Sequence, residues 1–244
     1  MDISKVKWFA PCKRNPLDSH SGKPPRSKAK LICPICKKRK ANRFCPAKSE
    51  SICSVDCATE REVTIDCPSD CPHLIASRNY EASRGDEVDL SKVPFAGIRV
   101  TPDTFRDHGG LLDAIALGLC NFAGEHRELV DTDAMAALQT LAESYQTLAK
   151  GIYYEKPLDY RLQHELAAHL KESIAAYKKE VAQRTGVSYL RDEMVRDALI
   201  FFTQVGAMRT NGRPKGRAYL DFLRREFKWE PRAHTAGSNL LILP

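Results

Sequence analysis

Apolar residues in the second half of the chain recur every three or four positions, in five runs separated by turn residues. The first run, roughly 104–123, is apolar almost throughout. In the second, Met135, Leu138, Leu141, Tyr145 and Leu148 fall on one face, with Asp131 at the N-cap position and Gly151 where a C-cap belongs. Pro157 opens a third run, in which Leu162, Leu166, Leu170, Ile174, Tyr177 and Val181 form one stripe, and Gly186 ends it. Ser188 caps a fourth, with Met194, Val195, Ala198, Leu199, Phe202 and Val205 inward and Asn211-Gly212 as its stop. A fifth follows Pro214, burying Ala218, Leu220, Leu223 and Phe227. Each run has one apolar stripe, so the pattern predicts helices packed on one another.

The first half lacks this periodicity. Residues 1–30 are rich in Pro, Ser, Gly and Lys and read as a basic, mostly disordered arm. Residues 31–75 carry the cysteines. Residues 76–100 read as the rest of a short helix, from Leu74 to about Arg84, and an acidic connector; 101–230 are the bundle and 231–244 a tail. The longest apolar stretch, Leu111 to Gly124, is too short to span a bilayer and is broken by Asp113 and Asn121. No signal-peptide pattern opens the chain, and the expectation is a cytoplasmic protein that does not engage a membrane.

Seven cysteines and one histidine lie between Cys33 and His73. In a reducing compartment this density points to metal rather than disulfides, and the nine cysteines of the chain are an odd number. Cys33-Pro-Ile-Cys36 has zinc-knuckle spacing, which lets one tight turn present two thiolates to one ion. Cys53 and Cys57 stand four apart, so on a helical turn they point the same way. Those four make one expected site. Cys45, Cys67 and Cys71 are left for a second, with His73 the nearest candidate for its fourth ligand and Asp56, water and Cys12 as rivals. Two Zn²⁺ ions per chain are expected. Cys120, within the first apolar helix, reads as a buried thiol.

The runs Arg43-Phe44-Cys45-Pro46 and Ile52-Cys53-Ser54-Val55-Asp56-Cys57 resemble the HIT-type and MYND-type zinc fingers. That resemblance covers about forty residues. It implies two interleaved ions, with ligand pairs one and three on the first and two and four on the second. The whole chain is similar to a bacterial family in which a segment like REVTIDCPSDCPHL precedes an all-helical half with segments like GIYYEKP and RTNGRPKGRAYLDFLRREF. The expected fold is mainly α: a small treble-clef-like, cross-brace two-zinc module followed by an all-helical bundle.

The formal charge of +7 is unevenly spread, with +11 in residues 1–43 and −4 over the remainder. Lys37, Lys38, Arg39, Lys40 and Arg43 sit among the expected ligands, where they offset thiolate charge or meet phosphates. Arg213, Lys215 and Arg217 fall at the start of the fifth helix, an expected anion or partner site. No nucleotide-binding glycine loop or hydrolase elbow occurs. His164 and His169 are five residues apart, about 140° around a helix, and do not share an ion. Tyr153, Tyr154 and Glu155 read as closing one end of the bundle. The sequence therefore points to a non-enzymatic zinc-binding adaptor for a protein partner. The alternative is a nucleic-acid-associated factor using the arm and the C-terminal basic helix; the minor one is an enzyme with an open zinc position. No small-molecule substrate is indicated.

Overall fold

The computed structural model describes residues 31–84, 93–98, 100, 105–106, 109–152, 154–186 and 190–229. The arm with Cys12, most of the acidic connector, Tyr153, the Ser188 cap and the C-terminal tail lie outside these residues. The chain divides into two compact units, one ending at Thr59 and the other beginning at Glu60. The segment 31–75 is thus cut between them.

The described part of the first unit holds a knuckle, a hairpin and a short helix. The knuckle closes where Lys37 N donates to Cys33 O and Cys33 N to Arg39 O, each at 2.8 Å. Strands β1 (Arg43–Cys45) and β2 (Glu50–Ile52) pair antiparallel, with Arg43 opposite Ile52. Helix α1 (Ser54–Thr59) follows at once. Among the described residues of this unit, only Ala41 and Ile52 are buried apolar side chains other than cysteine. Two such residues are far too few for hydrophobic burial to hold residues 31–59 together by themselves.

The second unit is helical: α2 (Pro72–Arg84), α3 (Gly109–Glu125), α4 (Asp131–Leu148), α5 (Arg161–Thr185), α6 (Asp192–Arg209) and α7 (Ala218–Glu226). Helix α4 packs on α5 and α6, and α3 on α5 and α7. Leu111, Ile115 and Leu119 of α3 meet Leu138 and Leu141 of α4, Leu166, Leu170 and Ile174 of α5 and Val195, Leu199 and Phe202 of α6 in one continuous core. No described helix is long and apolar enough to cross a membrane.

Several boundaries differ from the periodicity reading. Helix α3 runs Gly109–Glu125, and the expected start of the first run near residue 104 lies outside the described residues. Pro157 does not open α5, which starts four residues later at Arg161; Leu158 packs against the core and its carbonyl accepts from His164 Nε2 at 2.9 Å, which keeps that segment out of the helix. Gly186 does end α5, in the left-handed conformation at φ 72°. In α7 the most buried side chain is Tyr219, which was not on the expected face. Its hydroxyl donates to Phe202 O at 2.9 Å, and its ring lies close to Gly206, where a Cβ would come within 3.1 Å.

Asp131 does not cap its own helix. The N-cap of α4 is Val130, with no side-chain cap bond. The Asp131 carboxylate instead accepts from Tyr219 N at 3.0 Å and Leu220 N at 3.2 Å, the N2 and N3 positions of α7. Arg217 precedes α7 and offers no side-chain cap. Asp131 thus supplies an N-cap from 88 residues away. Burial raises its pKa to about 6, against the pull of the two backbone donors.

A carboxyl group whose pKa is raised on folding stabilises fully below its unfolded value, near 4, and loses that contribution as pH rises through about 6. The stability of the wild-type chain relative to Asp131→Asn, measured by urea denaturation, should therefore fall between pH 4 and pH 6 and level off above. A difference that stays flat or climbs over that interval would refute the assignment.

Candidate metal centre

The first unit brings Cys33, Cys36, Cys53 and Asp56 together, with one donor atom from each lying within 4.8 Å of every other, close enough to hold a metal ion. Local structure explains how. The knuckle turn presents Cys33 and Cys36. Cys53 follows β2 directly, and α1 then carries Asp56 back beside it, one turn along. The Cys36 and Cys53 sulfurs are 4.0 Å apart, and the Cys33 thiol donates to Asp56 Oδ2 at 3.0 Å. Backbone donors face the sulfurs, Cys53 N to Cys33 Sγ at 3.2 Å and Asp56 N to Cys53 Sγ at 3.3 Å. N–H groups so directed favour thiolate over thiol.

The electrostatics agree. Hydrogen bonds from Cys33, Cys36 and Cys53 hold the buried Asp56 carboxyl down at about 2. At Cys36 the Asp56 carboxylate pushes the thiol up, but backbone donors from Lys38 and Arg39 contribute to a net lowering. Burial is the largest influence on Cys53 and raises it. Arg39 lies 3.6 Å from Asp56 and compensates part of the cluster's negative charge.

Sequence spacing named Cys33, Cys36 and Cys53 in this set, but placed Cys57 fourth. The structure gathers Asp56 there instead. On a short helix starting at Cys53, positions three and four along are both near-neighbours, and spacing alone does not choose between them. Cys57 is half-buried on α1 and Cys45 is buried at the end of β1. The other expected ligands belong to the second unit. Cys67 is half-buried, Cys71 is buried just before α2, and His73 stands in the first turn of that helix. Cys120 is a buried thiol of the α3 core, pushed up to about 11 by burial.

Arg213, Lys215 and Arg217 all have partners within their own unit. Arg213 Nη1 donates to Arg61 O at 2.7 Å and Lys215 Nζ to Thr64 O at 2.8 Å. Arg217 donates to Leu129 O at 3.1 Å and pairs with Asp66 at 2.9 Å. These bonds tie the 211–217 loop to residues 61–66. At their centre Glu62, 2% exposed, accepts from Arg78 at 2.7 Å and Asn211 Nδ2 at 2.7 Å. Arg78 also pairs with Asp221 at 2.6 Å. The start of α7 already has its anion in Asp131, so an external one would have to displace it.

Elsewhere, Tyr154 is exposed and Glu155 pairs with Lys171. His164 is exposed and bonded to Leu158 O, while His169 tilts against Phe122. No family model, curated protein or solved structure matches the chain. The geometry alone carries the functional argument.

Two outcomes follow. Arg78→Ala leaves the buried Glu62 carboxylate without its cation and should cost about 3–5 kcal/mol in urea denaturation, whereas Lys215→Ala, at the surface, should cost under about 1 kcal/mol. Equal losses would mean that Glu62 is not the centre of this network. With a metal ion on the cluster, chelation should collapse the amide resonances of residues 31–59 to random-coil positions and leave those of α3 to α7, which have their own apolar core, in place. Persistence of the 31–59 resonances in chelator would remove metal from the account of that unit.

Proposed function

We propose that the cluster of Cys33, Cys36, Cys53 and Asp56 is a structural zinc site and that the chain is a non-enzymatic adaptor whose metal-fixed unit docks a protein partner. One observation carries this reading: three thiols and a carboxylate converge where the described residues of the unit bury almost no apolar side chain. Three sulfurs with one oxygen suit Zn²⁺ among the common biological metals. The 4.0 Å between the Cys36 and Cys53 sulfurs agrees with the ~3.8 Å that two Zn–S bonds of ~2.3 Å subtend at a tetrahedral ion. Four protein donors also favour a closed site over one that keeps a position for reacting water. The second ion expected on Cys45, Cys67, Cys71 and His73 rests on sequence spacing.

The surface of the first unit supports a protein partner. Leu31, Ile32, Phe44 and Val55 are exposed on a unit of only 29 described residues, a density of outward apolar side chains that a contact surface accounts for. The nucleic-acid alternative retains the exposed Lys37, Lys38 and Lys40. It is weakened at the other end of the chain, where Arg213, Lys215 and Arg217 are spent on intrachain bonds.

The test is a pull-down of tagged chain from its host, with nuclease and across a salt series, beside elemental analysis. Zinc should co-purify at one equivalent or more. One protein should be retained after nuclease and at high salt, and lost with Phe44→Asp, which leaves the metal in place. Retention that depends on nucleic acid and falls steeply with salt would move the reading to the alternative. A metal content near zero would end it.

A further inference from the structure

In the first unit, backbone pairing extends past the start of β1. Ile32 pairs with Lys40 across an antiparallel bridge, and Ala41 N donates to Leu31 O at 2.7 Å. Asn42 N donates to Ile52 O at 3.1 Å, and Phe44 stands opposite Ser51. Side chains alternate along an extended strand, and directly opposed residues share a face. Exposure follows that rule. Ala41 and Cys45 are buried with Cys33 and Ile52, whereas Lys40, Asn42 and Phe44 are exposed. Ile32 is 63% exposed and Phe44 61%. The outward face therefore presents two bare apolar side chains, with Lys40 beside Ile32 and Asn42 between Lys40 and Phe44. Four residues separate Lys40 from Phe44, about 13 Å at the rise of a strand.

The charge around this face is unpaired. Residues 31–59 carry six Lys and Arg against Glu50 and Asp56, a net +4, and a divalent ion on three thiolates would leave +3. Asp56 is already set against Arg39. Among the described residues no acid pairs with Lys37, Lys38, Lys40, Arg43 or Lys48. An occupant has to match both the cations and the apolar pair. Residues 1–30, which lead into Leu31, carry eight Lys and Arg against two Asp, so their charge repels this unit. Nucleic acid answers the lysines, but the aliphatic Ile32 gives it neither a stacking face nor a hydrogen bond. An acidic polypeptide with apolar side chains answers both.

We infer that this face binds an extended acidic protein segment with two apolar side chains four residues apart, seated on Ile32 and Phe44, and carboxylates beside Lys40 and the knuckle lysines. In an extended segment those two positions lie on one face and span the same distance. The inference rests on the adaptor reading, since an ion held by Cys33 and Cys53 fixes the strands that form this face.

The test titrates fluorescein-labelled Asp-Glu-Leu-Glu-Asp-Glu-Leu-Asp-Glu with full-length, zinc-loaded protein and follows anisotropy. Binding should saturate, and should weaken about tenfold or more when both leucines are replaced by serine. Phe44→Ser and Lys40→Glu should each weaken it about tenfold, without moving the melting temperature or the zinc content, because both side chains point to solvent. Equal binding of the serine peptide, or unaltered binding by both variants, overturns the proposal. So does failure of zinc-loaded protein to bind the peptide; a partner still recovered by pull-down would then keep the adaptor reading without the acidic chemistry. A chain that takes up no zinc fails both readings at once. Displacement of the peptide by oligouridylate with a steep salt dependence would assign the face to nucleic acid, and dimerisation abolished by Phe44→Ser would assign it to a second copy, each overturning the proposal.

Discussion

Two backbone N–H groups at the start of α7, those of Tyr219 and Leu220, end on the one buried carboxylate of Asp131. Much of the helical unit depends on that contact. Asp131 begins α4, so the bond fixes the start of one helix against the start of another, and its own N–H returns the link by donating to Gly216 O at 2.9 Å. With α7 held there, Tyr219 enters the core between α6 and α7, reaching Phe202 O above the bare backbone of Gly206. A helix of nine residues is too short to persist by itself. It needs its first-turn donors satisfied and its apolar face covered, and Asp131 and Tyr219 do these two things from adjacent positions.

The same reasoning explains the basic loop before α7. A run of cations at a helix start is unfavourable against the helix dipole, yet Arg213, Lys215 and Arg217 all stand there. Each is drawn away from the helix end by an acceptor in residues 61–66 or at Leu129. The Lys215 N–H also donates to Glu62 O at 2.8 Å, so the loop pairs with that segment through backbone as well as side chains. Glu62, at left-handed φ 54° and nearly inaccessible, is tolerable only because Arg78 and Asn211 meet both of its oxygens. What reads in sequence as an exposed cationic patch is in large part the internal fastening of the loop before α7 to residues 61–66 and Leu129.

Five helices, four of them long, were legible because their apolar pattern is strong and Gly151, Gly186 and Asn211-Gly212 fall just past the ends of three of them. Tyr219 and Asp131 were not. A tyrosine beside a leucine gives no periodic signal of which one turns inward. An aspartate before an apolar run looks like a local cap whether its oxygens meet its own helix or one 88 residues away. Long-range capping has no spacing rule. The cluster that could hold a metal ion was legible in the same partial way: the knuckle and Cys53 follow from tight-turn geometry, while the approach of Asp56 to them depends on how far α1 winds against the knuckle, which no spacing encodes.

The two units solve the same problem by opposite means. The helical unit buries twenty-nine described residues in one apolar cluster. Among its described residues the first unit buries only Ala41 and Ile52 as apolar side chains other than cysteine. Its remaining buried positions are sulfur and a carboxylate, groups that repel one another once ionised and so oppose compaction unless a cation joins them. A divalent ion among three thiolates and Asp56 would leave a net charge of −2, and Arg39 already lies against that cluster with Lys37, Lys38 and Lys40 exposed around it. The basic character of the knuckle would in that case offset, in part, the charge such donors carry. It need not be a record of what the surface touches, and no such electrostatic requirement explains the exposed Leu31, Ile32, Phe44 and Val55.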